Sequence, residues 1–350
     1  MPLPVIDADT HVIECDDTWE FLEGNDRKYR PRAVTADDGS GTAFWLIDGH
    51  YIDREIGDES IPLDVRTLRD LSARKAMMAE TGFDVQVLYP TFFIAPPTNR
   101  PEIQVALSRS YNRWMADVYA RGGDAFRWVV VPPVLSLPDA LAEIDVGKAH
   151  GACGVSLRGV EGDRLLSDPY FFPIYQKASD LNLPICVHVG NGSIPIRDVL
   201  YGDRAHRKLD VFFVANMPVL AAFHLLIVAG IPEMFPKLRF TFVEAGAEWV
   251  PYMLGEAVRR IETMPTEGRI ADVKTALRDK RLFVTARTDN DLPRLIDWGC
   301  ADNLMIGTDF GHADASTELA TLRNLKARGR IDAAFYDKLV GANPKVAYGL

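Results

Sequence analysis

Eight short apolar runs alternate with eight stretches of helical spacing along this 350-residue chain, and this alternation constrains the fold most strongly. Several runs are apolar at consecutive positions, which is typical of parallel strands buried on both faces. Parallel neighbours need a crossover connection, usually a helix. The predicted strands are Val5–His11, Val85–Thr91, Trp128–Val134, Cys153–Arg158, Ile185–Val189, Phe240–Glu244, Leu282–Ala286 and Leu304–Thr308.

Eight strand–helix units over this length predict a (β/α)₈ TIM barrel in one domain spanning residues 1–350. A two-domain, doubly wound protein is the alternative. The predicted helices are Thr67–Thr81, Glu102–Arg121, Pro138–His150, Asp168–Asn182, Pro218–Phe235, Glu248–Thr263, Asp291–Gly299 and Ser316–Gly329.

The first unit contains an insertion, because about 55 residues separate the first strand from the first convincing helix. Within it, the segment TAFWLIDGHYIDREI alternates in polarity and contains Asp48-Gly49, a turn pair typical of β-hairpins. Residues 15–65 are therefore predicted to form a small insertion with a β-hairpin over the mouth of the barrel.

Composition narrows the class of ligand. The chain is 47% hydrophobic and 25% charged, as in globular proteins, and its net charge is −10. An acidic chain disfavours nucleic acid and anionic membranes as partners, so we expect a small-molecule substrate.

Cysteine usage and the amino terminus favour a cytoplasmic protein. Cys15, Cys153, Cys186 and Cys300 are widely separated, which favours reduced thiols over disulfides. The start MPLPVIDADTHVIE lacks the features of a signal peptide. The apolar segment 211–232 is interrupted by Pro218, His224 and Gly230, so it predicts a buried helix and no membrane partner.

Ionisable residues mark the predicted strand ends, where barrel enzymes place their active sites. Asp9 and His11 are two positions apart on the first strand, so both side chains project to one face, and Glu14 follows. A capping aspartate with a structural histidine is the alternative interpretation. His188 ends strand five and Glu244 ends strand six.

The eighth strand is followed by Asp309 and His312. Asp309 is a candidate ligand or base, and His312 is a candidate acid, base or hydrogen-bond donor to substrate. His224 lies inside the apolar helix, where it is either a core residue or a further nitrogen ligand. Arg158 and Arg287 follow strands four and seven and are candidates for binding a substrate carboxylate or for structural ion pairs.

The candidate ligands offer oxygen and nitrogen but no thiolate, a set that suits Fe, Mn or Zn. Seven candidates exceed the three or four protein ligands of a mononuclear catalytic site, which favours two metals bridged by a carboxylate. One Zn or Mn ion is the alternative. The candidates are Asp9, His11, Glu14, His188, His224, Glu244 and Asp309.

With these residues in place, the chain resembles the amidohydrolase-related branch of the amidohydrolase superfamily, which includes aminocarboxymuconate-semialdehyde-type decarboxylases. The resemblance is carried by VIDADTHVIE, VHVG, FPKLRFTFVEAGAEWVPYML, GTDFGH and ANPKVAYGL, over nearly the whole chain. It implies a metal-dependent barrel, in which His188 and Asp309 match the family pattern.

Two positions depart from that pattern. Family decarboxylases usually open with His-x-His, where this chain has Asp9 and His11, and they usually carry a catalytic histidine where this chain has Glu244. A carboxylate at that position weakens transfer of the decarboxylase mechanism. Relatives with this Asp-x-His-x-x-Glu opening and a strand-six glutamate resemble dinuclear iron or manganese/iron oxygenases.

Three hypotheses follow. The leading one is an oxygenase that hydroxylates a small carboxylate- or amine-bearing substrate with O₂ at a dinuclear Fe or Mn/Fe centre. In it, Asp9, His11, His188 and Asp309 hold one metal, and Glu14, His224 and Glu244 hold or bridge to the second. The second is a mononuclear Zn or Mn hydrolase or non-oxidative decarboxylase. The third is a non-catalytic subunit of a homologous enzyme. The expected assembly is an oligomer of identical or homologous chains.

Overall fold

The computed structural model describes residues 3–35, 37, 43–53, 57–195, 212–313, 316–328 and 331–350. Eight parallel strands form one sheet and are joined by helices, which confirms the predicted (β/α)₈ TIM barrel. In order around the barrel, these strands are β1 (Ile6–Val12), β5 (Val85–Pro90), β6 (Phe126–Val130), β7 (Ala152–Arg158), β10 (Ile185–His188), β11 (Phe240–Val243), β12 (Leu282–Ala286) and β13 (Leu304–Ile306).

The barrel closes where the first and last strands meet, and we call this contact the closing seam. Thr10 forms a parallel bridge with Phe310, and the His11 amide donates to the Phe310 carbonyl over 2.7 Å. The Asp309 amide donates to the Asp9 carbonyl over 3.0 Å. Gly307 permits this approach, because a Cβ there would lie 2.3 Å from the Asp9 Cβ.

Strand boundaries agree with the sequence analysis to within two residues except in the third strand. That strand was expected to reach Val134 but ends at Val130. Pro132 and Pro133 explain the difference, because proline has no amide hydrogen to donate to a neighbouring strand.

Helices surround the barrel. In chain order they are α1 (Leu63–Arg66), α2 (Leu71–Thr81), α3 (Pro101–Gly122), α4 (Leu137–Ala149), α5 (Phe172–Asp180), α6 (Met217–Val228), α7 (Ile231–Met234), α8 (Val250–Thr263), α9 (Ala276–Lys280), α10 (Leu292–Asp297), α11 (Thr321–Arg328), α12 (Ala333–Asp337) and α13 (Asn343–Tyr348). Several begin with a proline in the first turn, where its missing amide hydrogen costs no helical bond.

The insertion contains the expected hairpin and one strand more. Strands β2 (Arg32–Thr35), β3 (Ala43–Ile47) and β4 (His50–Asp53) form an antiparallel sheet. The β3–β4 turn has positive φ at Asp48 and Gly49, as a type I′ turn requires. The remaining short strands, β8 (Val160–Glu161) and β9 (Arg164–Leu165), form a two-stranded ribbon after β7.

The carboxyl-terminal helix α13 contributes to the barrel interior. Tyr348 is buried and its hydroxyl donates to the Ala8 carbonyl over 2.8 Å, while also lying 2.8 Å from the Tyr89 hydroxyl. The Tyr89 ring in turn lies 4.9 Å from the ring of His188. The end of the chain is therefore packed beneath the site described below.

The apolar segment after residue 211 forms helix α6, which buries residues such as Val219 and Phe223 against the core. Val211 itself lies outside the described residues. Among the helices that the structure describes, none has the length and apolarity needed to cross a membrane. The four cysteines are buried and form no disulfide with one another.

Candidate metal centre

The carboxyl ends of four barrel strands bring five candidate ligands to one rim. Asp9 and His11 lie on β1, His188 ends β10, Glu244 follows β11 directly and Asp309 lies just beyond β13. The five side chains are at most 8% exposed. Because the apolar residues of each strand are buried in the barrel, the polar groups that end these strands lie inside the barrel mouth.

Two of these carboxylates sit on strained backbone. Glu244 has φ 71° and Asp309 has φ 52°, in the left-handed region that residues with a side chain seldom adopt. Such a conformation costs roughly 1–3 kcal/mol and persists only where its surroundings hold it. The Glu244 amide donates to Thr285 Oγ1 over 2.7 Å, which fixes the turn. Strain at both strand ends indicates a functional constraint on where the carboxylates point.

Hydrogen bonds set the tautomers of His11 and His188. Nδ1 of His11 lies 3.2 Å from the Pro90 carbonyl, and Nδ1 of His188 lies 3.0 Å from the Val189 carbonyl. A carbonyl only accepts, so each Nδ1 carries a hydrogen when the ring is neutral and each Nε2 presents a lone pair. The two Nε2 atoms face each other at 3.2 Å. This orientation is the one that metal-bound histidines usually show.

Three carboxylate oxygens share this space. Nε2 of His11 lies 3.7 Å from Asp9 Oδ1, 3.6 Å from Glu244 Oε2 and 3.4 Å from Asp309 Oδ1. Nε2 of His188 lies 3.5 Å from Asp9 Oδ1 and 3.0 Å from Glu244 Oε2. Each of the three oxygens is buried without a hydrogen bond.

The separations among the donors of Asp9, His11, His188 and Glu244 run from 3.0 to 3.7 Å, close to the edges of one coordination polyhedron. Metal–ligand bonds of about 2.1 Å put neighbouring donors roughly 3.0–3.5 Å apart. Buried lone pairs that face one another need a positive charge between them, supplied by protons or by a metal. The donor set therefore fits a divalent cation.

Burial and mutual repulsion disturb the acidities of this group. Burial raises the pKa of Asp9 to about 7, although contact with His188 opposes the rise. Burial lowers the pKa of His11 well below its ordinary value, and nearby His312 lowers it further. Burial alone would lower the pKa of His188, but the neighbouring Glu244 and Asp9 carboxylates outweigh it and raise that pKa. Burial alone would raise the pKa of Glu244, but His188 outweighs it and lowers that pKa.

Among the described residues, the possible ligands form two overlapping groups. The first contains Asp9, His11, His188 and Glu244, and the second contains His11, Glu244, Asp309 and His312. Within each group the donor atoms lie within 4.8 Å of one another. His11 Nε2 has one lone pair, so it serves one metal only, whereas Glu244 and Asp309 have oxygens that can bridge. His11 therefore cannot complete both groups at once.

His312 is joined to both Asp309 and the loop after β5. Its Nδ1 lies 3.0 Å from Asp309 Oδ1, its Nε2 lies 2.8 Å from Thr91 Oγ1, and the Thr91 hydroxyl donates to the Val12 carbonyl. Because the Thr91 hydroxyl already donates to Val12, its contact with His312 is satisfied when Nε2 of His312 carries the hydrogen. The His312 ring also stacks on His11, with 3.7 Å between centroids.

Glu14 was predicted to hold a second metal, but it belongs to neither group. The chain turns after β1, and Glu14 Oε2 instead accepts a hydrogen bond from the Phe92 amide over 2.8 Å. Burial raises the pKa of Glu14 to about 8, so this carboxyl is largely neutral at pH 7.

His224 is also absent from both groups. It lies on α6, a helix outside the strands, where its neighbour Phe223 packs against Phe242 and Trp249. Among the described residues, the structure therefore groups neither Glu14 nor His224 with Glu244.

The two predicted substrate-binding arginines differ. Arg158 forms a two-point ion pair with Glu161 and donates to the Phe93 carbonyl over 3.0 Å, so its donors are engaged within the protein. Arg287 pairs with Asp289 over 3.2 Å but is 42% exposed, and it borders a cleft that is also lined by Asp9, Glu244 and Asp309. The structural alternative fits Arg158, and Arg287 remains placed for a substrate.

Three hydroxyl groups at the site were not identified from the sequence. Ser316 Oγ lies 3.1 Å from Glu244 Oε1 and 2.9 Å from Asp309 Oδ2, either of which can accept its hydrogen, and Thr317 Oγ1 lies 3.2 Å from Asp309 Oδ2. The last helix was predicted to begin at Ser316, but α11 begins five residues later. Thr91 is the third. Only Thr91 directly follows a strand; Ser316 and Thr317 lie in the loop about ten residues beyond β13, so nothing in the sequence pointed to them.

Comparison with known proteins places this geometry in a family. The fold matches an amidohydrolase from Mycobacterium avium subsp. paratuberculosis with TM-score 0.78 and 17% identity over 98% of both chains. It matches 5-carboxyvanillate decarboxylase from Sphingomonas paucimobilis with TM-score 0.68 and 18% identity over 99% of both chains.

A third structure, 5-carboxyvanillate decarboxylase from Novosphingobium aromaticivorans, was solved with manganese and 4-hydroxy-3-methoxy-5-nitrobenzoic acid. It matches with TM-score 0.70 and 17% identity over 99% of this chain and 96% of that one. At these identities the three structures establish the fold alone. The amidohydrolase family model matches residues 6–350, so this chain belongs to the amidohydrolase family.

Proposed function

We propose that this chain is a non-oxidative carboxy-lyase that uses one divalent metal ion and acts on a small aromatic carboxylate. The observation that carries the proposal is the buried group of two Nε2 atoms and two carboxylates, from His11, His188, Asp9 and Glu244, whose donor atoms lie within 4.8 Å of one another. Asp9, His11, His188 and Glu244 would hold the metal, with Asp309 beside them. The bound metal would stabilise negative charge on substrate oxygen.

The position of His11 supports one metal. His11 belongs to both groups of possible ligands, and its Nε2 can bind one ion only. An ion held by Asp9, His11, His188 and Glu244 therefore leaves the second group without its His11 ligand.

The residues around the metal suit decarboxylation. The reaction breaks the bond between the carboxylate carbon and the ring, leaves the electron pair on the ring carbon and adds one proton there. Arg287, which lines the cleft, would pair with the substrate carboxylate. The Asp309–His312 pair would deliver the proton. The aromatic carboxylate class comes from the decarboxylases that share the fold.

A dinuclear oxygenase remains a second candidate because of one observation. Glu244, Asp309 and His312 form a second group of possible ligands with His11, and their carboxylate oxygens would allow bridging to a second ion. Glu14 and His224 are not part of this version of the site.

Metal counting and substrate turnover distinguish the two functions. The purified chain would be loaded with Mn, Zn or Fe, and bound metal would be counted per chain. Hydroxylated benzoates would then be assayed for CO₂ release with and without oxygen. We expect one metal per chain and oxygen-independent CO₂ release. Two metals with oxygen consumption and hydroxylated product would replace this proposal with the oxygenase.

A further inference from the structure

Arg74, on helix α2, is a cation buried completely beneath the candidate metal centre. No carboxylate accepts a hydrogen bond from it in the described structure; its Nε donates to Gln86 Oε1 over 2.7 Å and its Nη2 to the His11 carbonyl over 3.3 Å. Burying a charge without a paired carboxylate costs several kcal/mol. Burial of the Arg74 charge at this free-energy cost indicates that Arg74 has a specific role in the structure.

The guanidinium contacts both sides of the closing seam. On one side it binds the carbonyl of His11. On the other, its central carbon lies 3.8 Å from the centre of the Phe310 ring, directly after Asp309. Gln86 ties it to the neighbouring strand β5. One rigid, planar group therefore touches the residues that set the 3.4 Å separation between His11 Nε2 and Asp309 Oδ1.

We propose that Arg74 is a positioning residue of the metal centre, which holds the His11 and Asp309 segments in register across the seam. This inference rests on the proposed metal site. The direction of its effect distinguishes it from a simple charge effect. Removing a cation near a metal should tighten metal binding by electrostatics alone. Loss of positioning should weaken metal binding instead.

The test uses Arg74→Lys, which keeps the charge without the planar fork, and Arg74→Met, which keeps much of the volume without the charge. Arg239→Met is the matched control. Arg239 also donates to backbone carbonyls, those of Asn182 and Ala347, but it lies at the carboxyl-terminal helix, away from the seam. For each chain, the Kd for Mn²⁺, the Co²⁺ absorption spectrum and the metal-free Tm are measured.

We expect both Arg74 variants to bind Mn²⁺ at least tenfold more weakly, with an altered Co²⁺ spectrum. Arg239→Met should lose Tm but bind Mn²⁺ within threefold of wild type. If a folded Arg74→Met binds Mn²⁺ as tightly as wild type or more tightly, the positioning role is overturned while the metal site stands. If Arg74→Met does not fold, the same result for Arg74→Lys overturns it. A wild-type chain that binds no metal would overturn both.

Discussion

Replacing Glu244 by glutamine tests the metal centre most directly. Glutamine has nearly the same shape, so the change removes one negative charge and leaves an oxygen in place. Glu244 Oε2 lies 3.0 Å from His188 Nε2 and accepts no hydrogen bond, so it is available to bind a metal. Unit charges at this distance interact by about 5 kcal/mol at an effective dielectric constant of ~20, and desolvation offsets much of that.

Changes in groups that only support a metal ligand typically cost 10–100-fold in affinity. Loss of a direct anionic ligand should therefore cost at least ~100-fold, or about 2.7 kcal/mol. The Kd for Mn²⁺ would be measured by competition with a chelating dye. Glu248→Gln is the matched control, because Glu248 is four residues away, is exposed and binds the Asp291 amide outside the cluster. Equal Mn²⁺ affinity of the two variants would refute the assignment of Glu244 as a ligand.

Three further predictions follow from the same geometry. The metal-free protein should be less stable at pH 8 than at pH 5.5. Burial raises the pKa of Asp9 to about 7 and that of Asp7 to about 8 in the folded state, and the stability that comes from a carboxyl with a raised pKa is lost as the pH rises through that pKa. Thermal melts in which stability rises from pH 5.5 to pH 8 would contradict this. Bound metal should reverse that slope, because it binds ionised Asp9. His312→Gln should keep metal content and lower kcat by ~100-fold, since proton delivery is lost; unchanged kcat would exclude His312 from that role. Arg287→Ala should raise KM about tenfold with an unchanged Tm. Arg158→Ala should instead lower Tm, because Arg158 is paired with buried Glu161. Michaelis curves and thermal melts of both variants test these two outcomes.

The fold could be predicted from the sequence because strands buried on both faces have a simple pattern: consecutive apolar residues followed by a polar one. Val187 followed by His188, and Val243 followed by Glu244, are examples. In a barrel all such ends lie on one rim, so Asp9, His11, His188, Glu244 and Asp309 were brought together by topology alone.

The other site residues lie mostly in loops, and the path of a loop cannot be predicted because its sequence has no periodic pattern of apolar residues. Glu14 lies only three residues beyond His11, yet the backbone turns it toward Phe92. Ser316 and Thr91 contact the carboxylate–histidine cluster through hydroxyls that resemble ordinary caps and turn residues in sequence. Arg74 lies in a helix rich in polar residues, where the pattern suggests a surface position rather than complete burial.

The closing seam links the site to local opening of the barrel. The Asp309 amide donates to the Asp9 carbonyl, about 300 positions earlier in the chain. Opening the barrel at this seam would separate Asp309 and His312 from Asp9 and His11 while the other neighbouring barrel strands stay paired. A local fluctuation of the seam would therefore loosen the site before the rest of the barrel unfolds.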